Sequence, residues 1–338
     1  MKKLACMAPR QLAYQQDVLP SLQPASAIIR IKRIGICGTD LHAFEGSQPY
    51  FTYPRVLGHE LAGELVDIDK SSTFSIGDPV TIIPYFHCGH CIACRAGKTN
   101  CCESMQVCGV HIDGGMAEYL SVPAYSLRHG NGLSFDELAL VEPLAIGAHG
   151  VRRAGIQPGE IVLVIGAGPI GLGVMEFAQI AGATVIAMDM NSNRLAFCQH
   201  QLHVPYTVNA KDGGVLEQLK AITNGDMPTV VIDATGNLAA IEQGFTYLAH
   251  GGRYVLVGLQ KEAIRFSHPE FHKREATLMS SRNATTVDFD QVMACIQQGT
   301  IKPASYITHK VEFDHASIEF EKWLDPATGV IKALITLP

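Results

Sequence analysis

Six of the ten cysteines in this 338-residue chain fall between positions 88 and 108. Four of them read Cys88-x2-Cys91-x2-Cys94-x7-Cys102, in a polar stretch that carries glycine. Four thiolates on one short loop suit a closed tetrahedral zinc site, which orders a segment unable to bury a core of its own. A disulfide framework would instead spread its cysteines over a small secreted domain. Cys101 stands beside Cys102 and competes with it for the fourth place. His87 and His90 are spare donors that a four-cysteine tetrahedron does not need. A second group lies apart from this loop: Cys37 in Gly35-Ile-Cys37-Gly-Thr39-Asp40-Leu-His42, His59 and Glu60 in Gly58-His-Glu, and Glu142 before Pro143. Singly, each fits a structural role. Beside the cysteine loop and the dinucleotide-type turn described next, their sulfur, nitrogen and oxygen donors suit a mixed zinc site with an open position, as metal-assisted catalysis requires.

A third motif is Gly166-Ala-Gly168-Pro169-Ile170-Gly171, placed directly after the apolar run 161–165 and ahead of a helical stretch. The first glycine allows a tight turn, the second lets backbone approach a pyrophosphate, and the third lets helix and strand pack closely. The helix N-terminus adds free N–H groups and the positive end of its dipole. The next apolar run, 184–188, ends in Asp189, 18 residues after Gly171. A carboxylate there binds a ribose 2′-hydroxyl and repels a 2′-phosphate, so NAD is expected over NADP. Asn193 and Arg194 follow closely enough to line an adenosine pocket, and an arginine is also what an NADP site uses. Thr235, in Asp233-Ala-Thr-Gly236, and Val257-Gly258 each follow an apolar run, where a doubly wound sheet binds its ligand.

The elements that must hold these groups change character near residue 145. Before it come short β-type runs (26–31, 61–68, 79–83, 117–122) between Gly, Pro, Asp and Ser clusters. After it, the apolar runs 161–165, 184–188, 229–232 and 253–257 alternate with helical stretches, the pattern of a doubly wound parallel sheet. β-type character returns at 306–313 and 329–337. The expected fold class is therefore α/β plus β, with residues 146–282 inserted into a domain made of 1–145 and 283–338. Hydrophobic residues form 47% of the chain and charged ones 17%, which excludes a disordered protein. A net charge of −6 argues against a general nucleic-acid binder. No stretch resembles a signal peptide, and the longest apolar run, 161–175, is broken by glycine and proline and falls short of a membrane span of about 20 residues. A cytoplasmic location follows as the expectation.

These residues resemble the zinc-dependent medium-chain dehydrogenase/reductase family over essentially the whole chain, in the polyol and sugar-acid branch with sorbitol, threonine and L-galactonate dehydrogenases. The resemblance implies a GroES-like catalytic domain interrupted by a Rossmann domain, two zinc ions, NAD, a small-molecule substrate, and a homodimer or homotetramer. Cys37 and His59 match catalytic zinc ligands, and Glu60 matches a carboxylate that ligates zinc in sorbitol dehydrogenase-like members. Glu142 stands where other members carry a second cysteine ligand, and binds zinc directly or through water. By register, Cys88, Cys91, Cys94 and Cys102 match the structural zinc lobe. Thr39 and His42 match a proton relay, and Asp40 the acid that orients the zinc-bound histidine. Gly38 departs from members with a basic residue touching the pyrophosphate, leaving more of that binding to the glycine-rich turn.

The stretches Tyr53–Glu60, Thr99–Glu103, Gly109–Gly115 and Ser281–Ala284 resemble the sugar-acid members. They make Arg282 and His111 candidates for holding a substrate carboxylate, with a surface salt bridge or a turn contact as the alternative for each. The expected reaction is oxidation of a secondary alcohol to a ketone on an L-galactonate-like sugar acid. The alternatives are a sorbitol/xylitol-type polyol dehydrogenase, an L-threonine dehydrogenase and, more remotely, a zinc-free quinone reductase or a regulatory protein that kept the fold.

Overall fold

A computed structural model describes residues 1–48, 51–69 and 73–338. Its contacts divide the chain into two units, one made of Met1–Pro143 with Thr285–Pro338, the other of Leu144–Ala284. The first unit begins with β1 (Lys2–Ala8), β2 (Gln11–Gln16), β3 (Ser26–Gly35) and helix α1 (Gly38–Glu45). It continues through β4 (Arg55–Val56), β5 (Glu60–Ile68), β6 (Pro79–Ile82), β7 (Tyr85–Phe86), α2 (Ile92–Arg95), β8 (Gln106–Val107), β9 (Tyr119–Pro123) and β10 (Leu127–His129). Helix α3 (Phe135–Leu138) follows, and α4 (Val141–Ala154) begins in the first unit and continues into the second.

The second unit alternates strand and helix: β11 (Ile161–Ile165), α5 (Pro169–Ile180), β12 (Thr184–Asp189), α6 (Ser192–Gln201), β13 (Tyr206–Asn209), α7 (Val215–Ile222), β14 (Val230–Asp233), α8 (Leu238–Gly244), β15 (Arg253–Leu256), α9 (His268–Lys273) and β16 (Thr277–Ser280). Every pairing in its sheet is parallel. The order β13-β12-β11-β14-β15-β16 is the 3-2-1-4-5-6 winding of a dinucleotide-binding sheet. Its central strands read as unbroken Val, Ile and Leu because helices cover both faces: Val162–Ile165 and Val230–Asp233 are buried at every residue.

The chain then returns to the first unit with α10 (Thr286–Gln297), β17 (Ile307–Glu312), α11 (Phe320–Leu324) and β18 (Lys332–Thr336). There the main sheet runs β10-β6-β5-β3-β18-β17, with β9 also on β3. β3 is its spine. One edge of β3 pairs antiparallel with β5, and the other takes β9 at Ser26–Arg30 and β18 at Arg33–Gly35. The hydrophobic run that marks this strand ends at Ile31, yet the ladder continues through Lys32 and Arg33 to Gly35, because β18 pairs there from the far end of the chain. That extension carries β3 to the threshold of Cys37. The core beneath it gathers Ile29, Ile31, Ile34, Leu57, Leu61 and Leu65 with Phe313, Phe320 and Trp323 from the C-terminal segment.

The fold class therefore matches the expectation of a β-rich domain with a doubly wound α/β insert. No helix among the described residues is long and apolar enough to cross a membrane.

Candidate active site and metal centres

Cys37 stands at the N-cap of α1, with φ −94° and ψ 155°. Asp40, one turn on and only 1% exposed, accepts the Cys37 N–H at 3.0 Å through Oδ2 and the Gly58 N–H at 3.1 Å through Oδ1. One carboxylate thus fastens the start of α1 to the segment that carries His59. The same Oδ1 lies 3.7 Å from His59 Nδ1. His59 leads into β5, whose first residue is Glu60, and Glu60 pairs with Gly35. A side chain at Gly35 would put its Cβ 2.0 Å from Glu60 Oε2, so only glycine leaves room for the carboxylate. The result is a compact set in which Cys37, His59 and Glu60 each offer a donor atom, all within 4.8 Å of one another.

The chemistry of this set fits a divalent metal. Thiol, imidazole and carboxylate converge in a buried place, and His59 Nδ1 has no hydrogen-bond partner. Three protein donors leave one corner of a tetrahedron open, as catalytic zinc sites do. Burial works against protonation of His59, but Asp40 and Cys37 outweigh it and raise its pKa well above the ordinary value. A positive charge is favoured at this point.

Glu142, in the first turn of α4 and 4% exposed, stands outside the three-residue set. Its Oε1 accepts a hydrogen bond from the Tyr85 hydroxyl. Burial, reinforced by Glu60, pushes its carboxyl up to about 7, with His59 and Tyr85 pulling the other way. Thr39 is half-buried and His42 exposed on α1, three residues apart and so on neighbouring positions of one helix face.

The four-cysteine set is also assembled: Cys88, Cys91, Cys94 and Cys102 bring their sulfurs within 4.8 Å of one another. Cys91 caps α2, and the Cys88 and Cys91 N–H groups point at Cys102 Sγ and Cys88 Sγ at 3.3 and 3.4 Å. Backbone N–H groups hold the Cys91 thiol down at about 6, which prepares a thiolate. Cys101 is exposed and outside the set. His90 bonds through Nδ1 to the Cys88 carbonyl, and His87 stacks on Tyr125 at 4.7 Å, so neither joins it.

In the second unit the glycine-rich turn joins β11 to α5. Gly166 has φ +101°, and a Cβ on Gly171 would lie 1.8 Å from the Gly166 carbonyl oxygen. Gly168 is the N-cap of α5 and Pro169 its first residue, followed by Ile170, an arrangement that presents unpaired N–H groups to an anion. Asp189 ends β12, accepting the Ala167 N–H at 2.7 Å and the Asn191 N–H at 2.8 Å on separate oxygens. Arg194 Nη1 comes within 3.9 Å of where a Gly168 Cβ would stand. Asp233 organises the neighbouring strand ends. Its carboxylate takes the Thr235 N–H and hydroxyl at 3.0 and 2.8 Å, and its carbonyl takes the Val257 and Gly258 N–H groups at 2.9 and 3.1 Å.

Residues 23–129 match the alcohol dehydrogenase GroES-like domain model, and residues 169–298 match the zinc-binding dehydrogenase model. Over 338 residues the chain is 44% identical to L-galactonate-5-dehydrogenase of Escherichia coli, covering 99% of each. The chain belongs to the zinc-dependent alcohol dehydrogenase family. It is 29% identical to a sorbitol dehydrogenase of Halalkalibacterium halodurans over 88% of both chains. The solved structure of RspB from E. coli CFT073, complexed with NADH, superposes with a TM-score of 0.93 at 28% identity, over 100% of this chain and 99% of that one. The resemblance read from the motifs is thereby borne out, and the chain is an oxidoreductase.

Two residues of this candidate site carry no motif. Lys332, 2% exposed on β18, holds both Glu60 oxygens at 2.7 Å and the Ile36 carbonyl at 3.1 Å. Tyr85, 4% exposed, holds Glu142. Of the candidate substrate anchors, His111 spends Nδ1 on the Val107 N–H at 3.0 Å, the contact of a turn, and Arg282 lies exposed in the second unit.

Proposed function

We propose that this chain oxidises a secondary alcohol of a sugar acid, L-galactonate-like, to the ketone with NAD. The observation that carries the reading is the convergence of Cys37, His59 and Glu60, in a chain similar end to end to L-galactonate-5-dehydrogenase. When bound, zinc supplies a Lewis acid that lowers the alcohol's pKa, and NAD supplies the hydride acceptor. Cys37, His59 and Glu60 hold that metal, with Glu142 beside it. Asp40 orients His59 as well as the cap that presents Cys37. Thr39 and His42 would form the proton relay: the Thr39 hydroxyl takes the substrate's proton as it gives up its own, and the exposed His42 imidazole takes the proton onward and releases it to water. A second zinc at Cys88, Cys91, Cys94 and Cys102 orders the loop.

For the cofactor, the Gly166–Gly171 turn and the start of α5 receive the pyrophosphate, and Asp189 receives the ribose hydroxyls. Arg194 borders the adenosine, while Thr235, Val257 and Gly258 border the nicotinamide half. NAD is favoured by Asp189, and the NADH in the RspB structure supports the choice.

A homodimer or homotetramer is part of this reading. It is supported by β16, which ends its sheet with an unpaired outer edge among the described residues and an exposed Leu278. A cytoplasmic location suits ten free cysteines. A neutral polyol is the second reading, favoured by the likeness to sorbitol dehydrogenase. NADH formation on a panel of aldonates and alditols tests both. L-galactonate or a close aldonate is expected to give the highest kcat/KM, and faster turnover of sorbitol or xylitol than of every aldonate would replace the sugar acid with the polyol.

A further inference from the structure

Tyr85 lies on β7, three residues ahead of Cys88. β7 pairs antiparallel with β8, Tyr85 opposite Val107 and Phe86 opposite Gln106. This two-stranded ladder closes the neck of the four-cysteine loop, since one strand enters the loop and the other leaves it. The Tyr85 ring is buried with the edge of Phe289 at 6.4 Å and 76°, and Phe289 on α10 is itself fully buried. The pairing of its backbone with β8 and the contact of its ring with Phe289 hold the side chain in place. Its hydroxyl is therefore delivered to one point, where it donates to Glu142 Oε1.

The consequence lies in what that bond does to Glu142. The donor atoms of Cys37, His59 and Glu60 meet within 4.8 Å, and Glu142 is not among them although it is buried next to them. A carboxylate with one oxygen tied to a phenol is not free to swing into the open corner. We propose that Tyr85 is a positioning residue of the active site, tethering Glu142 to the neck of the four-cysteine loop so that the carboxylate stands beside the catalytic ligand set and leaves the substrate's corner open. The idea rests on the metal-site reading above. It adds that the cysteine loop has an active-site task besides ordering itself, because the strand that enters it carries the tether. Support of this kind around a ligand set governs geometry without touching the substrate.

The test is Tyr85→Phe in the full chain, which keeps the ring and removes only the hydroxyl. Zinc is exchanged for cobalt, and the visible ligand-field spectrum is recorded beside steady-state kinetics on the better of L-galactonate and sorbitol. The tether predicts a folded variant with the wild-type metal count and a changed ligand-field spectrum, because Glu142 can now reach the ion. It also predicts kcat lowered about tenfold or more with KM changed less than twofold, the signature of a lost positioning effect. On a Glu142→Leu background the same Tyr85→Phe change should alter kcat less than twofold, since the residue acts through Glu142. An unchanged cobalt spectrum with kcat within twofold of wild type overturns the tether, as does an equal loss on the Glu142→Leu background. Should the wild type itself hold fewer than two metal ions per chain, zinc and cobalt counted together, the metal-site reading falls and the tether with it. A wild type with two ions and an insensitive Tyr85→Phe spectrum removes the tether alone.

Discussion

Replacing Lys332 with Met is expected to weaken the first unit severely in the metal-free protein and less so in the metal-loaded one. The ammonium is 2% exposed and bonds both oxygens of Glu60, itself 0% exposed. Burial opposes its charge, but Glu60 outweighs burial and leaves the Lys332 pKa raised. Met fills much of the lysine stem's volume, so little of the loss comes from packing. What remains is a carboxylate without its counter-charge, and removing one partner of such a buried pair costs about 3–5 kcal/mol. For a domain of roughly 150–250 residues each kcal/mol moves Tm by about 2–4 °C, which gives a fall of about 6–20 °C. A cation at the Cys37, His59 and Glu60 set restores a positive neighbour to Glu60, so zinc should recover part of that fall. The assay is thermal unfolding by circular dichroism at pH 7, on wild type and Lys332→Met, each before and after chelation. The double change Glu60→Gln with Lys332→Met removes both charges and should be less destabilised than Lys332→Met alone. A chelated Lys332→Met protein melting within about 3 °C of chelated wild type, a difference of about 1 kcal/mol, would refute the reasoning.

Other expectations concern separate parts of the chain. Asp136 accepts from Arg33 at 2.7 Å and from Lys310; burial pushes its carboxyl up, but the two cations prevail and its pKa is lowered. A carboxyl lowered in the folded state stabilises above its unfolded pKa and loses that contribution as pH falls through the folded one. Asp136→Asn should therefore lower the urea midpoint at pH 7, with the gap to wild type closing once pH is taken well below the ordinary aspartate value of about 4. Asp189→Ala should narrow the preference for NAD over NADP in kcat/KM, and a wild type that uses both equally would remove the role given to Asp189. Gly171→Ala forces a methyl to 1.8 Å from the Gly166 carbonyl; it should cost about 1–3 kcal/mol of stability and weaken NADH binding in a fluorescence titration.

The chemistry was legible wherever it is local. The glycine turn and the run of cysteines each lie within a few residues, so spacing alone reveals them, whereas the stretch from Cys37 to His42 gained its roles from the family resemblance. Asp40 could be placed beside His59 because the family pattern carries it. Lys332 could not, for it meets Glu60 across 272 residues of chain, and a lysine in a terminal segment reads as a solvated charge. Only the pairing of β18 with β3 brings it inside. Tyr85 was hidden in another way: among apolar and aromatic neighbours it reads as core, and its hydroxyl gains a meaning only when Glu142 is set against it. The start of the fold carries no motif: β1 and β2 become a hairpin through pairing with each other and with β4.

Two metal centres with different tasks are central to the proposed function, and zinc content measured beside activity tests them most directly. Fully active wild-type enzyme should carry two zinc ions per chain, one at each ligand set. Cys37→Ser should keep one, remain folded and lose nearly all alcohol oxidation, whereas Cys88→Ser should fail in folding or solubility. One zinc or fewer in a fully active wild-type chain, or full activity in Cys37→Ser, would contradict the account.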